Sequence, residues 1–165
     1  MYKRQALHWN CAQLAVSLRL LADSEPLLAA LNRYGELYMQ AIARRWCWRL
    51  GVEPRGNEED SALVTASEKH MRDNSMGPDA FFFAHRGGRE ARGELADALA
   101  PYRAVDYDHD YWSCEKPQTM LIEEVEEIWA AIDERDDWSL FDSKIAAIRD
   151  MGVAHGQAPI PAGHT

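Results

Sequence analysis

Apolar residues recur at helical spacing near the start of the chain. Between Leu7 and Leu21 they are separated by four, three, four and three positions, which places them on one face of an α-helix. This pattern predicts a first helix from about Leu7 to Ala22, and its apolar face requires a partner surface. The five preceding residues, MYKRQ, do not continue the pattern. The stripe consists of Leu7, Cys11, Leu14, Leu18 and Leu21.

A second and longer helix is predicted to run as far as Leu50. Residues 23–26 supply a capping residue, an early acid and a first-turn proline, all of which favour a helix start. Gly51 lies where a left-handed residue ends a helix. The apolar face of this helix carries Leu27, Leu31, Tyr34, Tyr38, Ile42 and Trp46.

Further helices follow from the same combination of caps, breaks and apolar spacing. The predicted spans are about 58–71, 78–86, 89–100, 117–132 and 139–151, with an irregular stretch at 105–116. At least two of the adjacent residues Phe81, Phe82 and Phe83 are expected to be buried, because they cannot share one helical face. No convincing alternating strand interrupts these helices, so the predicted fold class is an all-α helical array.

The predicted domain organisation is one helical domain over residues 6–152. Residues 153–165 carry several prolines and glycines and are predicted to be a flexible tail. MYKRQ resembles the translated end of a common transposon adaptor, so residues 1–5 are interpreted as non-native. The natural protein is therefore expected to begin upstream and to have been truncated at about Ala6.

Composition narrows the class of protein without identifying its chemistry. The 165 residues are 47% hydrophobic and 27% charged, as in an ordinary globular domain, and the formal net charge of −9 disfavours binding to a phosphate backbone. No signal peptide or transmembrane run is recognisable, so a cytoplasmic chain is predicted. The three cysteines lack paired spacing and are interpreted as buried free thiols: Cys11, Cys47 and Cys114.

Two apparent metal motifs fail on their spacing. Asp106, Asp108 and Asp110 alternate like calcium ligands, but Tyr111 stands where that loop needs glycine and Pro117 where it needs glutamate. They are interpreted as a solvated acidic loop. The histidines show no ligand pairing either. They are His8, His70, His85, His109, His155 and His164.

Other candidate sites have simpler structural interpretations. Trp46 and Trp48 point about 200° apart on a helix, so one is expected in the core and the other half-covered. The neighbouring arginines are expected to reach helix-end carbonyls or acids rather than nucleic acid. These arginines are Arg44, Arg45 and Arg49.

The remaining polar candidates also lack catalytic features. Gly87 and Gly88, between Arg86 and Arg89, are interpreted as a helix terminus rather than a phosphate cradle. Ser113 and Cys114 have no recognisable base. The acids Glu123, Glu124, Glu126 and Glu127 are interpreted as a solvated helix face. The sequence therefore assigns no catalytic, cofactor-binding or metal-ligating residue.

Several short motifs nevertheless resemble one family. The segment HWNCAQLAVSLRLL, followed by a helix ending RRWCWRLGV, is similar to the C-terminal part of the selenoprotein O (SelO) family of protein adenylyltransferases. In that family an Asn-Gln-Pro segment precedes a helix that begins with an apolar residue, Trp and Asn, matched here around Leu7 to Asn10. A Lys-Leu-Gly-Leu-like motif is matched by Arg49 to Val52, an Asp-rich helix start by Glu58 to Leu63, and an aromatic segment by Asp79 to Phe83.

One departure indicates a divergent branch of the family. Many members carry an Asn-Pro-x-x-x-x-Arg-Asn segment before the last helices, whereas this chain keeps Pro117 but has Ile122 and Glu123 near the Arg-Asn positions. The resemblance is therefore most specific before Asn74.

The resemblance implies a kinase-like fold, of which this chain would be the C-terminal part of the C-lobe. It also implies AMP transfer from ATP to hydroxyl side chains of proteins, with a divalent metal such as magnesium. The family's binding and catalytic residues precede the Asn-Gln-Pro segment, so none is carried over to this chain. Its partners would be protein substrates and the missing N-terminal lobe. The alternative is a free-standing helical interaction module without catalysis, in which the stripe of the first helix binds a partner.

Overall fold

A computed structural model describes residues 2–105 and 108–156 of the chain. The predicted all-α class is confirmed across these residues. The helices are α1 (Tyr2–Leu18), α2 (Ser24–Asn32), α3 (Tyr34–Leu50), α4 (Asn57–Asp73), α5 (Pro78–Ala84), α6 (Glu94–Leu99), α7 (Ile122–Arg135) and α8 (Ser139–Ala154), with short 3₁₀ helices at Arg86–Gly88 and Asp110–Ser113. Asp106, His164 and most of the predicted tail lie outside the described residues.

The chain divides into two compact units, Met1–Arg45 and Trp46–Thr165. The division falls within α3. The predicted single domain over 6–152 and the non-native origin of residues 1–5 stay predictions. None of the helices in the described ranges is both long and apolar enough to cross a membrane.

The first 50 residues form three helices rather than the two predicted. α1 already begins at Tyr2 and ends at Leu18, so both predicted ends of the first helix are wrong. The predicted long second helix is interrupted at Arg33, whose backbone N–H donates to the carbonyl of Ala30. Asn32 and Gly35 flank this break, and both have low helix propensity.

Helices later in the chain differ from prediction mainly at their ends. α6 begins at Glu94 instead of Arg89 because Glu90 and Gly93 have φ of 53° and 56°, outside the helical region. α8 continues to Ala154, past the expected stop at Gly152. Gly51 has φ of 64° directly after α3, which confirms its predicted helix-ending role.

Pro117 does not open a helix, contrary to the prediction. α7 begins five residues later at Ile122, and the residue before it has extended backbone. The backbone N–H of Gln118 donates instead to the hydroxyl of Tyr111 at 3.1 Å. This side-chain hydrogen bond lies in an irregular segment that helical periodicity alone did not predict.

The core of the second unit lies where α3, α4, α5 and α6 meet. Two of the three adjacent phenylalanines are buried, as predicted, and Phe82 packs edge-on against Trp46 with ring centroids 5.0 Å apart. The buried cluster contains Cys47, Leu50, Val52, Leu63, Phe81, Phe82, Leu95 and Leu99.

A short antiparallel contact closes this core at one edge. Val52 pairs with Ala104, the N–H of Glu53 donates to Arg103 O at 2.9 Å, and the N–H of Val105 donates to Gly51 O at 2.8 Å. The contact joins the end of α3 to the segment after α6.

Two predictions about side-chain burial need correction. Trp46 and Trp48 are both half-buried, and the cysteine between them is the fully buried residue of that run. Cys11 and Cys114 are exposed, so only Cys47 is the buried thiol that was predicted. The Cys47 side chain lies in the core cluster, and Trp46 packs against that cluster from its partly exposed edge.

Candidate functional site

A buried carboxylate organises the polar part of the second unit. Asp60 lies in the first turn of α4 and is 3% exposed. Its Oδ1 accepts hydrogen bonds from the backbone N–H of Arg55 at 3.0 Å and from the hydroxyl of Tyr102 at 2.9 Å, and its Oδ2 accepts one from the N–H of Gly56 at 3.3 Å. These donors satisfy a charge that would otherwise be costly to bury.

Two further titratable groups adjoin this carboxylate. Burial raises the pKa of the Cys47 thiol to about 12, and the negative charge of Asp60 adds to the shift. Burial and hydrogen bonding to Asp60 likewise raise the pKa of Tyr102. Both groups are therefore protonated at neutral pH, which makes Cys47 a poor nucleophile because the thiolate is the reactive form.

Arg86 closes the end of α3. Its side chain is buried, and Nη1 donates to the carbonyls of Trp48 and Arg49, at 3.3 Å each. The guanidinium carbon lies 4.2 Å from the centroid of the Trp112 ring, within cation–π range. Arg86 therefore satisfies carbonyls at the end of a helix, where a positive charge is also favoured by the helix dipole.

The glycine pair next to Arg86 lies at a helix terminus, as the sequence predicts. Gly87 and Gly88 have φ of 64° and 83° in the short 3₁₀ helix that follows α5. Arg89 donates to the carbonyls of Trp112 at 3.0 Å and Phe83 at 2.9 Å. Both flanking arginines are thus engaged with backbone carbonyls, an arrangement that supports structure rather than phosphate binding.

Two histidines meet against the phenylalanine core. The rings of His70 and His85 lie edge to face with centroids 4.9 Å apart, and His85 also contacts Phe81 at 5.0 Å. His85 Nδ1 is 3.0 Å from Arg89 O, whereas its buried Nε2 has no hydrogen-bond partner. Burial lowers the pKa of His85, the hydrogen bond to Arg89 opposes the shift, and His70 adds to it. Sequence spacing did not pair these histidines, because they are brought together by the packing of α5 on α4.

Three further histidines, His8, His109 and His155, each contact an aromatic ring or a neighbouring polar group. His8 stacks on Tyr34 with centroids 5.0 Å apart, and His155 stacks on Trp48 at 4.8 Å. His109 Nδ1 accepts from the N–H of Tyr111, and its Nε2 lies 3.6 Å from Asp150. Within residues 2–105 and 108–156, no group of three or more histidine, cysteine or acidic side chains could hold a metal ion.

The remaining sequence candidates are not gathered into one place. Arg49 reaches an acid as predicted, with Nη2 2.8 Å from Asp79 Oδ1, and it also lies 4.1 Å above the Phe82 ring. Arg44 is exposed, and Ser113 ends the second 3₁₀ helix beside the exposed Cys114. One glutamate of α7, Glu124, is less exposed than its neighbours and pairs with the buried Lys144 at 2.6 Å. Glu124 is therefore an exception to the predicted solvated glutamate face, and the sequence did not predict its partner because Lys144 carries no distinguishing pattern.

The first unit contains an apolar groove of about 450 Å³ between its helices. Several side chains of the predicted first-helix stripe lie along it, and the groove has almost no polar lining. Its walls are Cys11, Leu14, Ala15, Leu18, Leu27, Ala30, Leu31, Tyr34, Leu37 and Tyr38. Such a groove is suited to apolar side chains rather than to a nucleotide or a metal.

Comparison with known proteins identifies a family match over most of this structure. A family model described as "Protein adenylyltransferase SelO" matches residues 1–113, more than half of the chain, and confirms the resemblance found in the sequence. The match covers α1 to α6 and ends at the second 3₁₀ helix, so α7 and α8 lie beyond it. Neither the curated proteins nor the solved structures contain a match to the chain.

Proposed function

We propose, because this chain belongs to the protein adenylyltransferase SelO family, that it is the C-terminal part of a cytoplasmic enzyme that transfers AMP from ATP to hydroxyl side chains of proteins. The family match over residues 1–113 is the observation that carries the proposal. The chain would form the helical end of a kinase-like C-lobe and support the nucleotide site from behind. On its own it would be inactive.

ATP and magnesium are proposed as ligands of the enzyme on the basis of family membership alone. By the resemblance, the residues that bind them precede the position matched by Leu7 to Asn10. The polar groups described in the second unit serve other purposes: Asp60 and Arg86 are engaged by backbone groups, and Cys47 is protonated. We therefore assign no step of nucleotide chemistry to residues of this chain.

The apolar groove of the first unit supports a role for α1 and α2 in packing against another part of the enzyme. Leu14 remains 59% exposed, and no residue of α2 is buried. An uncovered apolar surface of this kind marks a site of association. It also supports the alternative function, a helical interaction module without catalysis, in which the groove receives a helix of a different protein.

Labelled ATP separates these possibilities. The isolated chain and the product of the intact open reading frame would each be incubated with Mg²⁺, a hydroxyl-bearing acceptor protein, and ATP labelled at either the α- or the γ-phosphate. We expect the longer product to transfer only the α-label and to lose activity when the metal is chelated, and the isolated chain to transfer neither label. Transfer of the γ-label would indicate a kinase and contradict the proposal. Transfer of the α-label by the isolated chain would show that its proposed inactivity is wrong.

The reading frame itself discriminates the alternative. An upstream coding segment with a kinase-like Gly-rich loop, a lysine and acidic metal ligands would support the enzyme, whereas a start codon used at Met1 would favour the module. In the longer product, Leu18→Asp within the groove is expected to lower AMP transfer. The matched change Leu20→Asp, at a residue that is 91% exposed outside the groove, is expected to leave activity unchanged.

A further inference from the structure

An apolar stripe runs along the exposed side of α7. Ile122, Val125 and Trp129 are spaced by three and four residues, so they lie on one face of the helix. Their side chains remain 63%, 39% and 62% exposed. The opposite side of α7 is the one that packs, since Ala131 is buried and Glu124 pairs with the buried Lys144. The stripe therefore adds apolar surface that α7 does not need for its own packing.

Negative charge borders this stripe. Residues 122–137 contain eight acidic residues and a single basic one, Arg135, which pairs with the adjacent Glu134 at 3.0 Å. On the helical wheel Glu126 and Asp133 adjoin the stripe directly, and both are exposed. The eight acids are Glu123, Glu124, Glu126, Glu127, Asp133, Glu134, Asp136 and Asp137.

We propose that the α7 stripe, formed by Ile122, Val125 and Trp129, is a docking surface for a basic amphipathic helix of a partner protein. The apolar face of such a helix would pack on the stripe, and its lysines and arginines would meet the bordering acids. Helix-on-helix recognition uses anchors at this spacing, and an exposed tryptophan is a residue that commonly dominates binding energy. Charge complementarity would speed association and select the partner.

The same charges disfavour other occupants. A second copy would bring its own acidic border against this one, and the whole chain carries a net charge of −9. Anionic lipid surfaces and nucleic acids would be repelled for the same reason. The stripe also lies beyond residue 113, where the family match ends, so the inference does not depend on the proposed enzymatic function.

A designed peptide tests the proposal directly. The probe is a fluorescent 14-residue helix of leucine and lysine with an amphipathic pattern, titrated with the chain while fluorescence anisotropy is recorded. Two reference peptides carry glutamate in place of lysine, or the same leucines and lysines in scrambled order. We expect the leucine–lysine helix to bind at least about tenfold more tightly than either reference, and its affinity to fall as salt is added.

Variants of the chain locate the binding surface. Trp129→Gln is expected to weaken binding about tenfold, whereas Leu20→Gln, an exposed apolar residue of the first unit, should leave it unchanged. Glu126→Lys combined with Asp133→Lys should weaken binding and reduce its salt dependence. Unchanged helical circular dichroism would show that each variant is folded, as expected for substitutions at exposed positions.

Several results would overturn the proposal. Equal binding of the scrambled peptide, or unchanged affinity of Trp129→Gln, would show that the stripe does not recognise a helix. A dimer in sedimentation experiments that dissociates on Trp129→Gln would make a second copy the occupant. Binding to anionic vesicles that requires Trp129 would make a membrane the occupant instead.

Discussion

The first unit and the α3–α6 region of the second unit use apolar surface in opposite ways. Between Trp46 and Val105 the second unit buries a continuous apolar cluster that includes Leu50, Leu63 and Phe81. The buried carboxylate of Asp60 accepts hydrogen bonds from neighbouring donors. In the first unit α2 contains no buried residue, and much of the stripe of α1 faces an open groove. Similar helical periodicity thus accompanies a packed core in the second unit and an uncovered apolar groove in the first. Amphipathic spacing therefore predicts a helix but not which surface covers its apolar face.

Substitution of the buried carboxylate Asp60 should destabilise the second unit most. Asp60→Ala would leave the N–H groups of Arg55 and Gly56 and the hydroxyl of Tyr102 without their acceptor, which should lower the free energy of unfolding by about 3 kcal/mol. Urea denaturation followed by tryptophan fluorescence would measure the loss. Asp73→Ala, at an exposed acid in the same helix, is the control and should change stability little. Equal losses in the two variants would contradict the role assigned to Asp60.

A smaller effect is expected where α3 ends. Gly51→Ala would require a left-handed alanine and place its Cβ 2.9 Å from Cζ of Arg86, so unfolding should become easier by about 1 to 2 kcal/mol. Gly77→Ala is the matched control, because its Cβ would meet no atom within 4 Å and the backbone φ is −72°. Thermal unfolding of both variants measures the difference. A Gly51→Ala variant as stable as Gly77→Ala would show that Arg86 moves aside freely.

The histidine pair should make the second unit sensitive to acid. The pKa of His85 is lowered in the folded chain, so below about pH 6.5 the unfolded chain binds a proton more readily than the folded one. The contribution of His85 to stability is therefore present above that pH and is lost as the pH falls. Between pH 7 and pH 5, the midpoint of urea unfolding should fall more for the unsubstituted chain than for His85→Asn, because asparagine does not titrate. Parallel declines would contradict this assignment.

The smallest effect is expected in the first unit. Leu14→Gln removes an apolar side chain that is 59% exposed, so the unfolding free energy should change by no more than about 0.5 kcal/mol. Solubility of the isolated chain should rise, because less apolar surface remains for association. Static light scattering at increasing concentration would measure this. A large destabilisation would show that the groove is part of a core and would remove the contrast between the two units.

Much of the fold was predictable because its signals are local. Gly51 was recognised as a helix end, and the acids at Glu58 to Asp60 marked the start of α4. The interruption at Arg33, beside the weak helix formers Asn32 and Gly35, and the late start of α7 were missed. In both places the apolar spacing continues where the backbone leaves the helix, so periodicity alone does not locate these helix ends.

The polar site was less accessible to prediction than the helices. The acceptor role of Asp60 depends on Tyr102, which lies more than forty residues away, and the seating of Arg86 depends on carbonyls at the end of α3. The prediction that arginines beside Trp46 reach acids or carbonyls succeeded for Arg49, whose partner Asp79 lies on α5. The kind of contact that each side chain makes could be predicted from its residue type. The identity of the partner residue could be known only from the fold.

The short antiparallel contact between Val52 and Ala104 has a consequence for how the second unit forms. It brings together chain segments separated by about fifty residues. The entropy lost on closing such a loop is only modestly larger than for a shorter loop. Contacts between residues so far apart in sequence nevertheless slow folding. Helices α4 to α6 lie within this loop, so the segment that precedes α4 and the segment that follows α6 are neighbours. The two ends of residues 53–103 therefore lie side by side, and the core that these helices form is completed by Cys47 and Leu50 of α3.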